Sequence, residues 1–326
     1  MTSPDPSQPR LRLAAVSMVR DEADIIELFV RINLRTVERL YILDHGSTDA
    51  TAEIIKRLQA EGLPLSYVHH ASDEFQQSQV ITHLVNQVAN MGVFDYIVPL
   101  DADEFIDDPS GQRLQTLEQH LPRDRWGKAP WRTYCPISGD YFGPSAPLYS
   151  NFRPRSAEPT RMRKVILGGR FARGCTVLEG NHKAYNLALN NDPVELPHRF
   201  NHVPVRHSEQ IMRKALLGSR SLALKSNRFA GEGNHWDRLA NEIRQRKHQL
   251  DDDWLRHHAL QYMNALGDQT LRIEEDGPRL GLPTDVMRYK DLAYRPLSVA
   301  LDAFVGDLVK QIQSLQQQLT QQGAPS

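Results

Sequence analysis

The sequence predicts an α/β fold, a mostly parallel sheet flanked by helices, with a helical C-terminal extension. Three observations carry this. Over the first hundred residues, short apolar runs alternate with segments whose apolar residues recur at threes and fours. The connections between them are short and carry Gly, Pro, Asp or Ser. Beyond roughly Ser208 the chain reads as helical again. Alternating strands and helices with short links imply parallel strands, right-handed crossovers and helices on the sheet's faces.

Leu11 to Val19 reads as a buried strand. Asp21 to Arg35 follows as a helix, with Ile25, Ile26, Leu28, Phe29 and Ile32 at helical spacing. Leu40 to Leu43 is a second strand ending at Asp44 and the turn His45-Gly46-Ser47. Thr48 or Asp49 caps the next helix, which carries Ile54, Ile55 and Leu58 on one face. Gly62 and Pro64 end it, and Leu65 to His69 is a third strand. Val80 to Met91 is helical, Gly92 ends it, and Val93 to Leu100 is a fourth strand leading to Asp101. From about Leu114 to Val205 the pattern weakens. Short strand-like pieces (Val165 to Leu167, Thr176 to Leu178) lie among Gly, Pro and aromatic residues, as expected of an irregular, partly antiparallel half. The organisation expected is a flexible stretch over 1–10, a domain over 11–245 with halves 11–113 and 114–245, and a helical region over 246–326. Leu301, Val305, Leu308, Val309, Ile312, Leu315 and Leu319 give the tail an amphipathic stripe. It reads either as a helix docked on its own domain or as a coiled coil that makes a homo-oligomer or takes a partner.

Apolar residues form 40% of the 326 and charged residues 24%, the balance of a soluble protein with a buried core. A net charge of -1 argues against a nucleic-acid surface. Cys135 and Cys175 are too few for a disulfide framework and form no CxxC site. The polar N-terminus lacks the apolar core of a signal peptide, and no run approaches the roughly 20 apolar residues that span a bilayer. The expectation is a cytoplasmic protein, at most peripheral to a membrane.

The fourth strand stops at Asp101-Ala102-Asp103-Glu104. In an extended chain alternate side chains share a face, so Asp101 and Asp103 are expected to project together. Two hard carboxylates there suit Mg²⁺ or Mn²⁺, with open positions for phosphate oxygens. The plainer alternative is a strand ending in a solvated turn. Ligands of such sheets lie beyond the strands' carboxyl ends, where Asp44, Ser47, Asp49, Asp101 and Asp103 all fall. Ser47, Thr48 and Asp49 also serve a turn and a helix cap.

Three segments together resemble one group of enzymes: Val16-Ser17-Met18-Val19-Arg20-Asp21-Glu22-Ala23-Asp24-Ile25-Ile26-Glu27, Ile42-Leu43-Asp44-His45-Gly46-Ser47-Thr48-Asp49-Ala50-Thr51, and Val98-Pro99-Leu100-Asp101-Ala102-Asp103-Glu104-Phe105. In this order they look like the family 2-like glycosyltransferases of the GT-A fold, in the branch with D-x-x-S-T-D-x-T and D-x-D-E-F. His202 to Gln210, with Lys214 and Gly218, resembles that branch's downstream H-x-P-x-R-S-x-x-Q region. The resemblance covers roughly residues 11 to 240.

It implies transfer of a sugar, with inversion, from a UDP- or GDP-sugar to a saccharide, glycan or other hydroxyl acceptor, assisted by Mn²⁺ or Mg²⁺. By the resemblance, Asp103 is the direct metal ligand and Asp101 holds ribose, a metal-bound water or the metal itself. Asp44 contacts the nucleoside, and His202 or His182 completes the metal shell. Arg206 and Lys214 are cations for the departing diphosphate. For the general base, Glu209 leads, with His182, Asp140 and Glu179 also open. Gln77, Gln79 and Asn86 stand where many relatives place Arg or Lys near the nucleotide, and Asn33 where the branch often has His. Trp126, Trp131, Tyr134, Tyr141, Phe142 and Trp236 read as core packing or as platforms for sugar rings. Competing readings are a nucleotidyltransferase, against which Met18 to Asp24 has no glycine, and a phosphatase, whose Asp-x-Asp follows the first strand. A non-catalytic sugar-nucleotide-binding or interaction protein is the fourth.

Overall fold

Strand β1 (Leu13–Val19) lies in the middle of the sheet, and its side chains show how the two faces are covered. Leu13, Ala15 and Val19 pack on one side with Ile26 and Phe29 of α1 (Ile26–Asn33) and Ile54 and Leu58 of α2 (Thr51–Ala60). Ala14 and Val16 face the other way, onto Ile81, Val85 and Val88 of α3 (Gln77–Asn90). Both faces are buried, so the strand is apolar at nearly every position, as a central parallel strand requires.

The structure is a computed structural model and describes residues 10–70, 77–108, 113–137, 152–157, 163–223, 234–262, 270–278, 280, 287–293 and 311. β2 (Arg39–Asp44), β3 (Leu65–His69) and β4 (Tyr96–Pro99) complete a parallel block in the order β3-β2-β1-β4. Past β4, the sheet continues through β8 (Arg163–Gly168), which runs on into the short α4 (Gly169–Ala172), and then β6 (Trp126–Pro136), β12 (Phe200–His202) and β5 (Glu104–Ile106). β8 is antiparallel to both neighbours, whereas β6 and β12 run parallel. β7 (Phe152–Pro154) and β11 (Val194–Glu195) add to β6, and β9 (Cys175–Val177) with β10 (Ala184–Asn186) forms a separate hairpin. The expected α/β architecture, a mostly parallel sheet flanked by helices, is present.

Several elements differ locally from expectation. α1 begins at Ile26 rather than Asp21, because Asp21 has φ 54° and turns the chain away from helix. Its Oδ1 holds that turn by accepting the backbone N–H groups of Thr48 (2.7 Å) and Asp49 (3.2 Å). Asp49 caps α2 from one residue before its N-cap, accepting the N–H of Thr51 at 2.9 Å. The aromatic-rich stretch after residue 125 is the 11-residue β6, with Trp126 and Tyr134 in the core.

The C-terminal helices α5 (Ser208–Ala223), α6 (Asn234–Gln245) and α7 (Asp252–Leu260) pack on the end of β6. Their apolar cluster joins Cys135 and Val205 to Ile211, Ile243, Trp254 and Leu255. Residues 287–293, ending in the short α8 (Lys290–Ala293), are tied to the first half: the Glu27 carboxylate accepts the N–H groups of Arg288 and Tyr289 (2.8 and 2.9 Å). Apart from Gln311, the amphipathic tail lies outside the described residues, as do Asp140, Tyr141 and Phe142. Among the described residues, no helix is long and apolar enough to cross a membrane.

Candidate active site

A cleft of about 490 Å³ opens at the carboxyl ends of β1 and β4. Asp21, Asp101 and Asp103 line it from the sheet side, and Lys164, Trp131, His182 and His202 from the antiparallel half. Arg213 and Lys214 of α5, Trp236 of α6 and Tyr262 complete it.

Asp101 and Asp103 both reach this cleft, but not by the alternation of an extended chain. β4 ends at Pro99, and residues 101–104 form a turn closed by the Glu104 N–H on the Asp101 carbonyl at 3.0 Å. The two carboxylates therefore face different partners. Asp101 Oδ1 accepts from Gln77 Nε2 (2.9 Å) and Asn181 Nδ2 (3.1 Å), and its Oδ2 lies 2.6 Å from Lys164 Nζ. Asp103 Oδ2 lies 2.9 Å from Lys214 Nζ, and its Oδ1 lies 3.7 Å from His202 Nε2.

The electrostatics follow from burial and pairing. Burial opposes ionisation of Asp103 most strongly, but Lys214, His202 and Arg206 together outweigh it and hold the carboxyl below the usual range. Burial drives His202 down to about 3 against the pull of Asp103, so its ring is neutral. That ring stacks on Trp131 at 4.5 Å, and its Nδ1 has no hydrogen-bond partner among the described residues. Beneath Asp101, Lys164 Nζ also meets Glu104 Oε1 at 2.8 Å. Burial pushes Glu104 up to about 8, while Asp101 and Glu104 overcome burial to keep Lys164 charged.

His182 sits half-buried on the cleft wall, edge-on to Trp131 at 5.3 Å. Its Nδ1 lies 2.9 Å from the Arg163 carbonyl. A carbonyl only accepts, so Nδ1 carries the proton in the neutral ring and Nε2 keeps its lone pair. Burial, aided by Lys164, lowers the pKa of His182, which favours that neutral form.

Other expected site residues stand elsewhere. Arg206 is fully buried, with Nε on Asp24 Oδ2 (2.5 Å) and Nη2 on Glu22 Oε2 (2.5 Å) and Asp24 Oδ1 (2.9 Å). It braces the β1–α1 turn against the start of α5 and does not line the cleft. Asp44 is also fully buried: Oδ1 accepts the Ser47 N–H at 2.9 Å, and Oδ2 takes Tyr67 Oη at 3.0 Å and His69 Nδ1 at 3.1 Å. Glu209 stands in the first turn of α5, half-buried and off the cleft lining. Asn33 is structural, its side chain bonding the Glu104 carbonyl (3.1 Å) and the Ile106 N–H (3.0 Å) to fix β5.

Asn181 and Arg213 are additions that the pattern did not single out, and Arg213 joins the strand-end Asp49, itself beside Asp21. Burial and the neighbouring Asp21 push Asp49 up to about 7, opposed by Arg213 at 2.8 Å. Lys164 closes the basic cluster Arg161-Met162-Arg163-Lys164, which the sequence offers for a phosphate or an acidic saccharide, but its side chain pairs with Asp101 and Glu104 instead.

The donors present suit a divalent ion in one place. Asp103 Oδ1 and Nε2 of the neutral His202 ring face each other across 3.7 Å, and Mg²⁺ or Mn²⁺ takes few protein ligands, filling its shell with water and phosphate. Asp101 is less suited, since both its oxygens are engaged. Among the described residues, no group of three or more His, Cys, Asp or Glu side chains forms a metal cluster.

No protein-family model and no curated protein matches the chain. Among solved structures it is similar to S. aureus TarS, with a TM-score of 0.36, 11% identity and coverage of 74% of this chain and 44% of that one. Similar too is S. aureus TarS 1-349 in complex with UDP, with a TM-score of 0.36, 11% identity and coverage of 74% and 73%. A third is glucosyl-3-phosphoglycerate synthase from Mycobacterium tuberculosis in complex with Mn²⁺, UDP and glucosyl-3-phosphoglycerate. It gives a TM-score of 0.27, 18% identity and coverage of 40% and 51%. The chain thus spans less than half of full TarS. At these scores neither substrate nor mechanism follows from the likeness.

Proposed function

We propose that the protein is a divalent-metal-dependent, inverting glycosyltransferase that moves a sugar from a UDP- or GDP-sugar to a saccharide or other hydroxyl acceptor. The observation that carries this reading is the pairing of Asp103 Oδ1 with Nε2 of the neutral His202 ring, 3.7 Å apart on the cleft wall. Asp103 and His202 would hold the ion, which when bound neutralises the charge developing on a diphosphate leaving group. Lys214, 29% exposed and 2.9 Å from Asp103, provides a second cation at the cleft. His182 is the general base, because it faces the cleft with an unprotonated Nε2 whereas Glu209 does not line it. In this reading Asp44 shapes the nucleoside end through the Ser47 turn rather than by touching the nucleotide. Arg206 supports the site from behind through Glu22 and Asp24.

The test is nucleotide release from UDP-glucose, UDP-N-acetylglucosamine and GDP-mannose, with water or added saccharides as acceptor, in Mn²⁺ or in EDTA. Mn²⁺-dependent release from one donor supports the reading. Equal release in EDTA removes the metal role, and no release from any donor removes the transferase.

A further inference from the structure

We propose that Lys164 is a positioning residue, which bridges Asp101 to the Gly180 carbonyl and so fixes the loop that carries His182. The inference rests on the transferase reading and deepens it, joining the donor-side aspartate to the base.

The bridge is part of a closed ring of hydrogen bonds. Lys164 Nζ reaches Asp101 Oδ2 at 2.6 Å and the Gly180 carbonyl at 2.7 Å. Gln77 closes the other side, donating from Nε2 to Asp101 Oδ1 at 2.9 Å and accepting the Gly180 N–H on Oε1 at 3.1 Å. Asn181 Nδ2 adds a third donor to Asp101 at 3.1 Å. The loop so held is conformationally unusual: Gly180 has φ 72° and Asn181 φ 58°. A non-glycine residue in that region persists where its surroundings over-determine it.

Two adjacent residues of β8 hold the same loop. Lys164 takes the Gly180 carbonyl, and Arg163 offers its own carbonyl to His182 Nδ1 at 2.9 Å. Ring orientation and tautomer are thus set from one strand. Stability alone gives little reason for an ion pair at this place, since a whole buried pair is commonly replaceable by apolar residues without loss, although removing the lysine alone leaves Asp101 and Glu104 without their cation. Lys164 is 1% exposed, and the long apolar stem of methionine would fill its volume.

The groups facing His182 are Lys164 and Arg163 of β8, Asp101 after β4, Gly180 beside Gln77 of α3, and Trp131 of β6, against whose indole His202 of β12 also stacks. Lys164 lowers the pKa of His182 and Asp101 raises it. Removal of the lysine charge therefore moves the base upward as well as loosening its loop.

The experiment compares wild type, Lys164→Met and Gln77→Ala in nucleotide release from the donor accepted by the wild type, with water as acceptor, across pH, alongside UDP and GDP affinity in Mn²⁺. For Lys164→Met the expected result is unchanged nucleotide affinity with kcat lower by about 100-fold, the scale of an ångström-sized misplacement. Its acid limb also moves to higher pH. Gln77→Ala leaves the lysine in place and is expected to lose about tenfold in kcat, the effect of one hydrogen bond, with the limb unmoved. A folded Lys164→Met with wild-type kcat and wild-type limb overturns the proposal. If that variant does not fold, wild-type kcat in Gln77→Ala does so. A wild type that neither binds nucleotide nor releases it refutes the transferase reading itself, a separate outcome.

Discussion

A Cβ added to Gly180 would lie 2.7 Å from Cδ2 and 2.8 Å from Nε2 of the His182 ring. The glycine is required twice, since its φ of 72° is also unfavourable to any side chain. Gly180→Ala is expected to cost about 1–2 kcal/mol of stability from the left-handed backbone alone. It should also displace the imidazole, lowering donor turnover more than nucleotide affinity. Urea midpoints with parallel kinetics test this, and unchanged kcat would mean that the ring's position does not matter.

His182→Gln keeps a side chain able to reach the Arg163 carbonyl but removes the proton acceptor. Loss of a general base is worth about 10²–10⁴ in kcat. In the wild type burial lowers the pKa of His182, so the neutral form survives below the usual histidine value of about 6.5. Activity should fall only as pH drops below that value, and His182→Gln should remove the limb. A wild-type limb at or above 6.5 would point to another group.

Arg206→Met is expected to act through the fold. Asp24 and Glu22 would be left buried without their guanidinium, a loss of about 3–5 kcal/mol. Burial works against Asp24, yet Arg206 and His207 hold its pKa far below the ordinary carboxylate range. A depressed carboxyl stabilises above its unfolded pKa of about 3.9 and loses that contribution as pH falls. The gap between wild type and variant should therefore narrow below about pH 4. Urea unfolding at pH 7 and pH 3.5 measures it, and an equal gap at both would show that this ion pair is not the source.

Trp131 packs against both histidines, 4.5 Å from His202 and 5.3 Å from His182. Trp131→Leu should weaken both functions together. Support of a metal ligand's orientation is worth about 10–100-fold in affinity, so Mn²⁺ binding should fall on that scale, and turnover should fall with it. Loss of turnover with full Mn²⁺ affinity would separate Trp131 from the metal role.

The parallel half was legible because its strands are short apolar runs and its helices carry stripes at threes and fours. Tyr96, Val98 and Leu100 face one core and Ile97 the other, as period two demands. Asp101 and Asp103 were legible as carboxylates following a strand end, while His182, His202 and Lys214 were named only by the family resemblance; all five line the cleft. What periodicity could not give was pairing across the chain. Lys164 meets Asp101 from 63 positions away, and Arg206 meets Asp24 from 182, so an arginine in a promising motif became a brace. Asp44 was readable as a strand-end carboxylate, but its closure by Tyr67 and His69 depends on β3 lying alongside β2. β6 escaped notice because it alternates buried and half-buried positions while staying aromatic or apolar through most of its length.

The most direct test of the central claim is calorimetric titration of UDP and GDP into wild type and Asp103→Asn, each with and without Mn²⁺. One nucleotide is expected to bind the wild type only when Mn²⁺ is present, and Asp103→Asn, though folded, is expected to lose this binding. Nucleotide binding indifferent to Mn²⁺, or equal in Asp103→Asn, would contradict it.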